Sequence, residues 1–280
     1  MKKTFILPII FFLTTLSSSC KSSQNRLENQ NVPFETSLME LPKIDVGTQG
    51  EFLAYCGFNL SFNTERLIPN WVAYELTREE TQGTLSRKKR QFQADPNIEH
   101  CATNADYSHS GYSRGHMAPA GDMKWDKCAM NSCFYLTNIC PQDRSMNAGC
   151  WQVLEDKCRI WARGKEGSIL IVCGPIVKNT NNTIGKFNAV TVPDGFFKAV
   201  LQKRGEKYVG AGFVFPNEEW HLPLEYYAVS IDEVERITGF DLFHNLPDNI
   251  EEKIESEFKY EDWGLKKPEK NILEDSRFLK

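Results

Sequence analysis

Arg114, Gly115 and His116 stand inside the run Tyr112-Ser113-Arg114-Gly115-His116-Met117-Ala118-Pro119-Ala120. In extended backbone, residues two apart share a face, so the guanidinium of Arg114 and the imidazole of His116 project together. Gly115 between them lets another backbone or a ligand come close. A neutral imidazole accepts a proton from water, and a guanidinium pairs with anionic oxygens, which together suit phosphodiester chemistry. A lone histidine is more often an ordinary hydrogen-bonded side chain, and a second segment is needed to change that weighing.

That segment runs from Thr137-Asn138-Ile139-Cys140-Pro141-Gln142 through Met146-Asn147-Ala148-Gly149-Cys150-Trp151 to Leu154-Glu155. On a regular helix Asn147, Trp151 and Glu155 are successive i, i+4 neighbours, which places an amide oxygen, an indole and a carboxylate on one stripe. Oxygen ligands suit a hard cation such as Mg²⁺, which keeps several waters and takes few protein ligands. Trp151 and Leu154 also read as core, and Asn147 near a helix start can cap it while still presenting its oxygen.

Together the two segments resemble the DNA/RNA non-specific endonuclease family, whose members share a ββα-metal finger. The family signature is Asp-Arg-Gly-His, then Ser/Thr-Asn-Ile-x-Pro-Gln, then Asn-x-Gly-x-Trp with a Glu eight residues after that Asn. The matching residues are Arg114-Gly115-His116, Thr137 to Gln142, and Asn147, Gly149, Trp151 and Glu155, and the likeness extends over residues 50 to 250. Ser113 departs from the usual Asp, which puts local hydrogen bonding in question more than activity. The resemblance implies hydrolysis of DNA and RNA with little sequence preference and 5′-phosphate products. It implies His116 as general base, a single Mg²⁺ (with Mn²⁺ as alternative) held directly by Asn147, and Glu155 acting through metal-bound water. Arg114 would position the finger and the phosphate, with Asn138 in support. Arg90-Gln91-Phe92 with Asp95-Pro96 is similar to the segment that sends an arginine to the scissile phosphate, which makes Arg90 the candidate. Arg87, Lys88 and Lys89 beside it form a dense basic run, suited to guiding phosphate. A histidine base with an ordinary pKa of about 6.5 predicts activity that falls as pH drops through that value.

These residues need a scaffold. A loosely alternating apolar run predicts strand near Tyr55 to Phe62, followed by Trp71 to Leu76, and further strand candidates are Phe134 to Ile139, Ser168 to Cys173, Ala189 to Val192, Phe196 to Leu201, Tyr208 to Phe215 and Tyr226 to Val229. Helices are expected from Asn147 to Arg163 and from Ile231 to Gly239, the latter capped by Ser230 with Glu233 as its box partner. Without strict βαβ alternation, the expected class is α+β, a mostly antiparallel central sheet flanked by helices. The division expected is an export signal at residues 1–20, a polar tether at 21–43, a nuclease domain at 44–265 and a charged tail at 266–280.

Lys2 and Lys3 precede an apolar run from Phe5 to Leu16, too short for a permanent span, and Ser17-Ser18-Ser19-Cys20 follows. Cys20 resembles the lipidated cysteine of bacterial lipoproteins, implying a membrane anchor at the cell envelope, or secretion if cleavage is ordinary. The eight remaining cysteines, an even number in an exported chain, suggest disulfides rather than zinc, because no Cys-x-x-Cys pair occurs among them. The net charge of −4 excludes a strongly basic protein, so phosphate binding must be local. Three other readings stay open: a surface lipoprotein that only binds nucleic acid or a partner on this fold, a cysteine-rich structural or metal-storage module, and, within the enzyme class, a phosphodiesterase for smaller substrates.

Overall fold

A computed structural model of the chain describes residues 38–43, 49–219 and 222–269. The export signal, Cys20, most of the tether and the end of the tail lie outside the described residues. A seven-stranded sheet runs through the chain in the order β1-β2-β3-β6-β9-β10-β11, every neighbouring pair antiparallel. Its strands are β1 (Glu51–Ala54), β2 (Asn59–Asn63), β3 (Ile68–Thr77), β6 (Ser168–Ile176), β9 (Gly195–Arg204), β10 (Lys207–Pro216) and β11 (Ala228–Val229). A separate pair, β4 (Ser113–His116) and β5 (Ile139–Gln142), is antiparallel, and β7 (Thr183–Ile184) pairs with β8 (Val190–Thr191). The expected α+β class with an antiparallel sheet is what the chain adopts.

The sheet is covered on both faces, and the strand period of two sorts its side chains. On β9, Phe196 and Val200 enter one core while Phe197, Ala199 and Leu201 enter the other. The first core receives Trp151, Leu154, Cys158 and Trp161 from the segment 147–163, together with Ile139 and Cys140 from β5 and Met117 just after β4. The second receives Ile231 and Val234 from one helix, Ile254 from another, and Leu41, which lies within the span expected as tether. Lys43 extends that attachment by donating its backbone N–H to the carbonyl of Asp241 at 2.8 Å.

The helices used below are α1 (Asn104–Tyr107), α2 (Lys127–Ser132), α3 (Arg144–Met146), α4 (Gln152–Arg163), α5 (Ile231–Thr238) and α6 (Asp248–Ser256). Ser230 caps α5 as expected, its Oγ accepting from the Glu233 N–H at 3.2 Å. The Glu233 carboxylate turns instead to Arg236, at 2.6 Å, so the reciprocal half of the box is replaced by an i, i+3 ion pair. Gly239 ends α5 at φ 74°, a left-handed conformation that glycine adopts at little cost.

Three expectations shift. The strand expected at Phe134 to Ile139 begins only at Ile139, because Leu136–Asn138 wind into a 3₁₀ turn. Similarly, Leu224–Tyr227 form a 3₁₀ turn, leaving only Ala228–Val229 as strand. The helix expected over Asn147 to Arg163 is regular only from Gln152. Asn147–Trp151 form a π turn with Gly149 out of helical geometry at φ −105°, ψ −111°. α6 carries no strong periodic signal of its own and was not foreseen.

The cysteines divide unequally. Cys56 and Cys128 form a disulfide across 72 residues. Cys101, Cys133, Cys140, Cys150, Cys158 and Cys173 are buried free thiols, used as small apolar core residues rather than as cross-links.

Candidate active site

β4 holds His116 because its register is fixed against β5: Arg114 faces Pro141, Gly115 faces Cys140 and His116 faces Ile139. Gly115 is required by close approach, since a Cβ there would lie 1.8 Å from Oε1 of the buried Gln142. After His116 the chain leaves the strand along Asn138. The Asn138 side chain accepts from the Ala118 N–H at 2.9 Å and donates to the carbonyls of Ala118 and Cys133, both at 2.9 Å. Asn138 is fully buried, and these bonds make it a brace for the segment that carries His116. Trp151 closes the third side by donating Nε1–H to the His116 carbonyl at 3.1 Å. Strand, strand and π turn plus helix are thereby joined at one residue.

The His116 ring lies between two aromatics, Phe92 at 5.1 Å and Phe134 edge-on at 5.1 Å. It is 9% exposed, and its Nε2 has no hydrogen-bond partner among the described residues. Burial, reinforced by the charge of Arg87, lowers its pKa to about 3, so the imidazole is neutral throughout the neutral pH range. The expectation of a histidine titrating near the ordinary value is therefore corrected, because the desolvating rings and the nearby guanidinium both disfavour the imidazolium.

The basic run reaches this ring through its own attachment. Gln93 exchanges backbone hydrogen bonds with Phe134 and Leu136, at 3.1 and 2.9 Å. Asp95, buried to 2% exposure, accepts from the hydroxyls of Tyr55 and Thr137, the second at 2.6 Å. The segment so anchored sets the Arg87 guanidinium over the Phe134 ring at 5.8 Å. Arg90 turns to the Oδ1 of Asn131 on α2. Of the two arginines it is thus Arg87 whose charge is felt at His116, and the run named it only as a neighbour. Arg114 donates to the Asn104 carbonyl at 2.7 Å and lies over the rings of Phe92 and Tyr107, at 5.7 and 5.5 Å. It holds α1 and the aromatic wall to β4.

Asn147 is half-buried at the start of the π turn, its own N–H donating to the Asp143 carbonyl at 3.0 Å. The non-helical Gly149 interrupts the regular stripe expected for Asn147, Trp151 and Glu155. Trp151 still turns wholly into the core, while Asn147 and Glu155 stay half-buried. An amide oxygen and a carboxylate are hard donors and fit a hard divalent cation.

Below them lies a buried ionic group. Lys198, fully buried on β9, stands over the Trp151 ring with Nζ 4.4 Å from its centroid. Asp122, also fully buried, takes Arg159 at 2.5 Å and the Tyr74 hydroxyl at 2.9 Å. Burial raises the Glu155 carboxyl to about 7 against the pull of Lys198, with Asp122 adding to the rise. Lys198 and Asp122 were not singled out as functional, yet a lysine inside Phe196-Phe197-Lys198-Ala199-Val200 is out of place on a core strand, and that was the available signal.

A two-stranded finger braced onto a helix, with histidine on one strand and oxygen donors at the helix start, defines a ββα-metal finger protein on an antiparallel sheet. Residues 36–249 match the family model described as DNA/RNA non-specific endonuclease. The chain belongs to that family. It is 36% identical over 215 residues to the mitochondrial nuclease EXOG of Xenopus laevis, covering 71% of this chain and 60% of that protein. It is 33% identical over 218 residues to nuclease C1 of Cunninghamella echinulata var. echinulata, covering 72% and 86%. Against the human EXOG nuclease the match spans 58% of the relative's length, so the chain corresponds to about three-fifths of these mitochondrial proteins. A crystal structure of an EndoG/EndoGI complex aligns with TM-score 0.68 and 26% identity over 76% of this chain and 91% of that one.

Proposed function

We propose that the chain is a metal-dependent endonuclease that hydrolyses phosphodiester bonds of DNA and RNA with little sequence preference, leaving 5′ phosphates. The observation that carries this reading is His116, a buried neutral imidazole whose Nε2 has no partner among the described residues, on a finger strand braced by Trp151 from the segment that bears Asn147 and Glu155. A base held neutral is ready to take a proton from water at physiological pH. Arg87, Arg114 and Arg90 supply the local positive charge that an acidic chain needs to bind phosphate, with Arg90 the candidate for the scissile group. Asn147, directly, and Glu155, through water, would hold Mg²⁺ or Mn²⁺. When bound, such an ion lowers the pKa of bound water and stabilises developing charge on phosphate oxygens. Asn138 and Trp151 keep the strand and helix in register, and Lys198 favours the ionised form of Glu155.

Weak sequence preference follows because the groups named address phosphates and a cation, and none enters a groove to read base edges. Export to an oxidising compartment, with Cys20 as a lipid anchor, is part of the proposal and is supported by the Cys56–Cys128 disulfide. Labelling of the precursor with a radioactive fatty acid, lost in Cys20→Ala, tests the anchor.

The activity is tested by incubating the full chain with supercoiled plasmid and with single-stranded RNA. Cleavage of both with Mg²⁺, abolished by chelator and restored by added metal, is the expected result. Binding without cleavage under all metals would favour the non-catalytic surface protein.

A further inference from the structure

The face of the sheet opposite His116 carries carboxylates that the nuclease reading leaves unused. Asp232 and Glu235 lie three residues apart on α5, and Glu255 reaches them from α6. Carboxylate oxygens of all three lie within 4.8 Å of one another. Glu255 is 8% exposed, and its Oε1 is buried without a hydrogen-bond partner among the described residues. One Glu235 oxygen accepts the Leu242 N–H at 2.6 Å. Arg236 pairs with Glu233 and Lys43 with Asp241.

This concentration of negative charge calls for a positive partner. Glu251 and Asp241 stand close enough to add their charges to those of Asp232, Glu235 and Glu255. Either protons or a cation must relieve the group. The donor set is all oxygen, which favours a hard ion over a soft transition metal. Ca²⁺ accepts several carboxylates in irregular geometry, whereas Mg²⁺ demands near-octahedral placement and is held through one or two. Three carboxylates with oxygens within 4.8 Å of one another can all reach one ion, and their number favours Ca²⁺. Asp232 is exposed, which leaves one side of the group open to complete the shell with water.

We propose that Asp232, Glu235 and Glu255 form a Ca²⁺ site that ties α5 to α6 on the face of the sheet away from the catalytic finger. The site is structural, and it acts on the second core through Ile231, Val234 and Ile254, which the same two helices bury.

The test uses the full chain stripped with chelator at pH 7.5, in an Asn147→Ala background so that the catalytic metal position does not contribute. Calorimetric titration with CaCl₂ is expected to show one site. Free Ca²⁺ at 100 times its Kd raises Tm by at least about 5 °C. Adding Glu255→Gln abolishes both effects. Should that variant not fold, Asp232→Asn at the exposed edge is expected to weaken Ca²⁺ binding at least tenfold. Absence of Ca²⁺ binding would show that protons alone relieve the cluster and would overturn the proposal. So would an unchanged Tm shift in both variants, or Mg²⁺ binding as tightly as Ca²⁺.

Discussion

At the scale of residues, the chemistry rests on how burial sets charge. His116 alone in the sequence is an ordinary histidine; Asn147 and Glu155 downstream make it a candidate base, and Phe92, Phe134 and Arg87 hold it neutral in the fold. Those three could not be assigned from spacing, because they reach His116 through long-range hydrogen bonds of Gln93 and Asp95. The stability consequence has a definite sign. The folded state takes up this proton only near pH 3, and the unfolded chain takes it up near the ordinary value of about 6.5. Between those values the unfolded state binds more protons, so His116 destabilises the fold as pH falls, by at most about 1.4 kcal/mol per pH unit. Denaturant unfolding at pH 7 and pH 5 should therefore show a larger loss in wild type than in His116→Ala, and equal losses would contradict it. Glu155 has the opposite shift, and a proton competes with metal there as pH drops below about 7. Apparent metal affinity should be tighter at pH 8 than at pH 6. Lys198→Met, by removing the charge that favours ionised Glu155, should move that dependence to higher pH. A pH-independent affinity in wild type would show that Glu155 does not contribute.

At the scale of elements, the sheet was largely legible because β3, β6, β9 and β10 are short apolar runs rich in aromatic and β-branched residues, the pattern of strands buried on both faces. What was missed is where local geometry depends on tertiary contact. The π turn at Asn147–Trp151 is set by Gly149 and by the need to bring the Trp151 indole to the His116 carbonyl, which no helical periodicity records. α6 escaped because four of its nine residues are acidic and only Ile254 and Glu255 are buried. The finger itself gives a sharp prediction. Gly115→Ala places a methyl 1.8 Å from Gln142 Oε1, and overpacking of that kind costs about 1–3 kcal/mol. Its activity should fall through loss of β4–β5 register, detected as a lowered Tm together with lowered kcat. Full activity at unchanged Tm would mean the strand pair tolerates rearrangement.

At the scale of the whole molecule, an acidic chain acts on an acidic substrate only through a local field. Raising salt from 50 to 200 mM should therefore weaken substrate binding, in proportion to the few phosphates engaged. The disulfide ties Cys56, beside β1, to Cys128 on α2 across 72 residues, and Cys56→Ser with Cys128→Ser is expected to lower stability by about 2–4 kcal/mol. Composition foretold cross-links but not their number, since a buried thiol and a half-cystine are indistinguishable in sequence. The central claim is that His116 is the base, and its most direct test is the single-turnover cleavage rate of His116→Ala with saturating Mg²⁺, beside a thermal melt showing that it folds. We predict a loss of at least about 10²-fold with the fold retained; a folded variant cleaving within a few-fold of wild type would contradict the account.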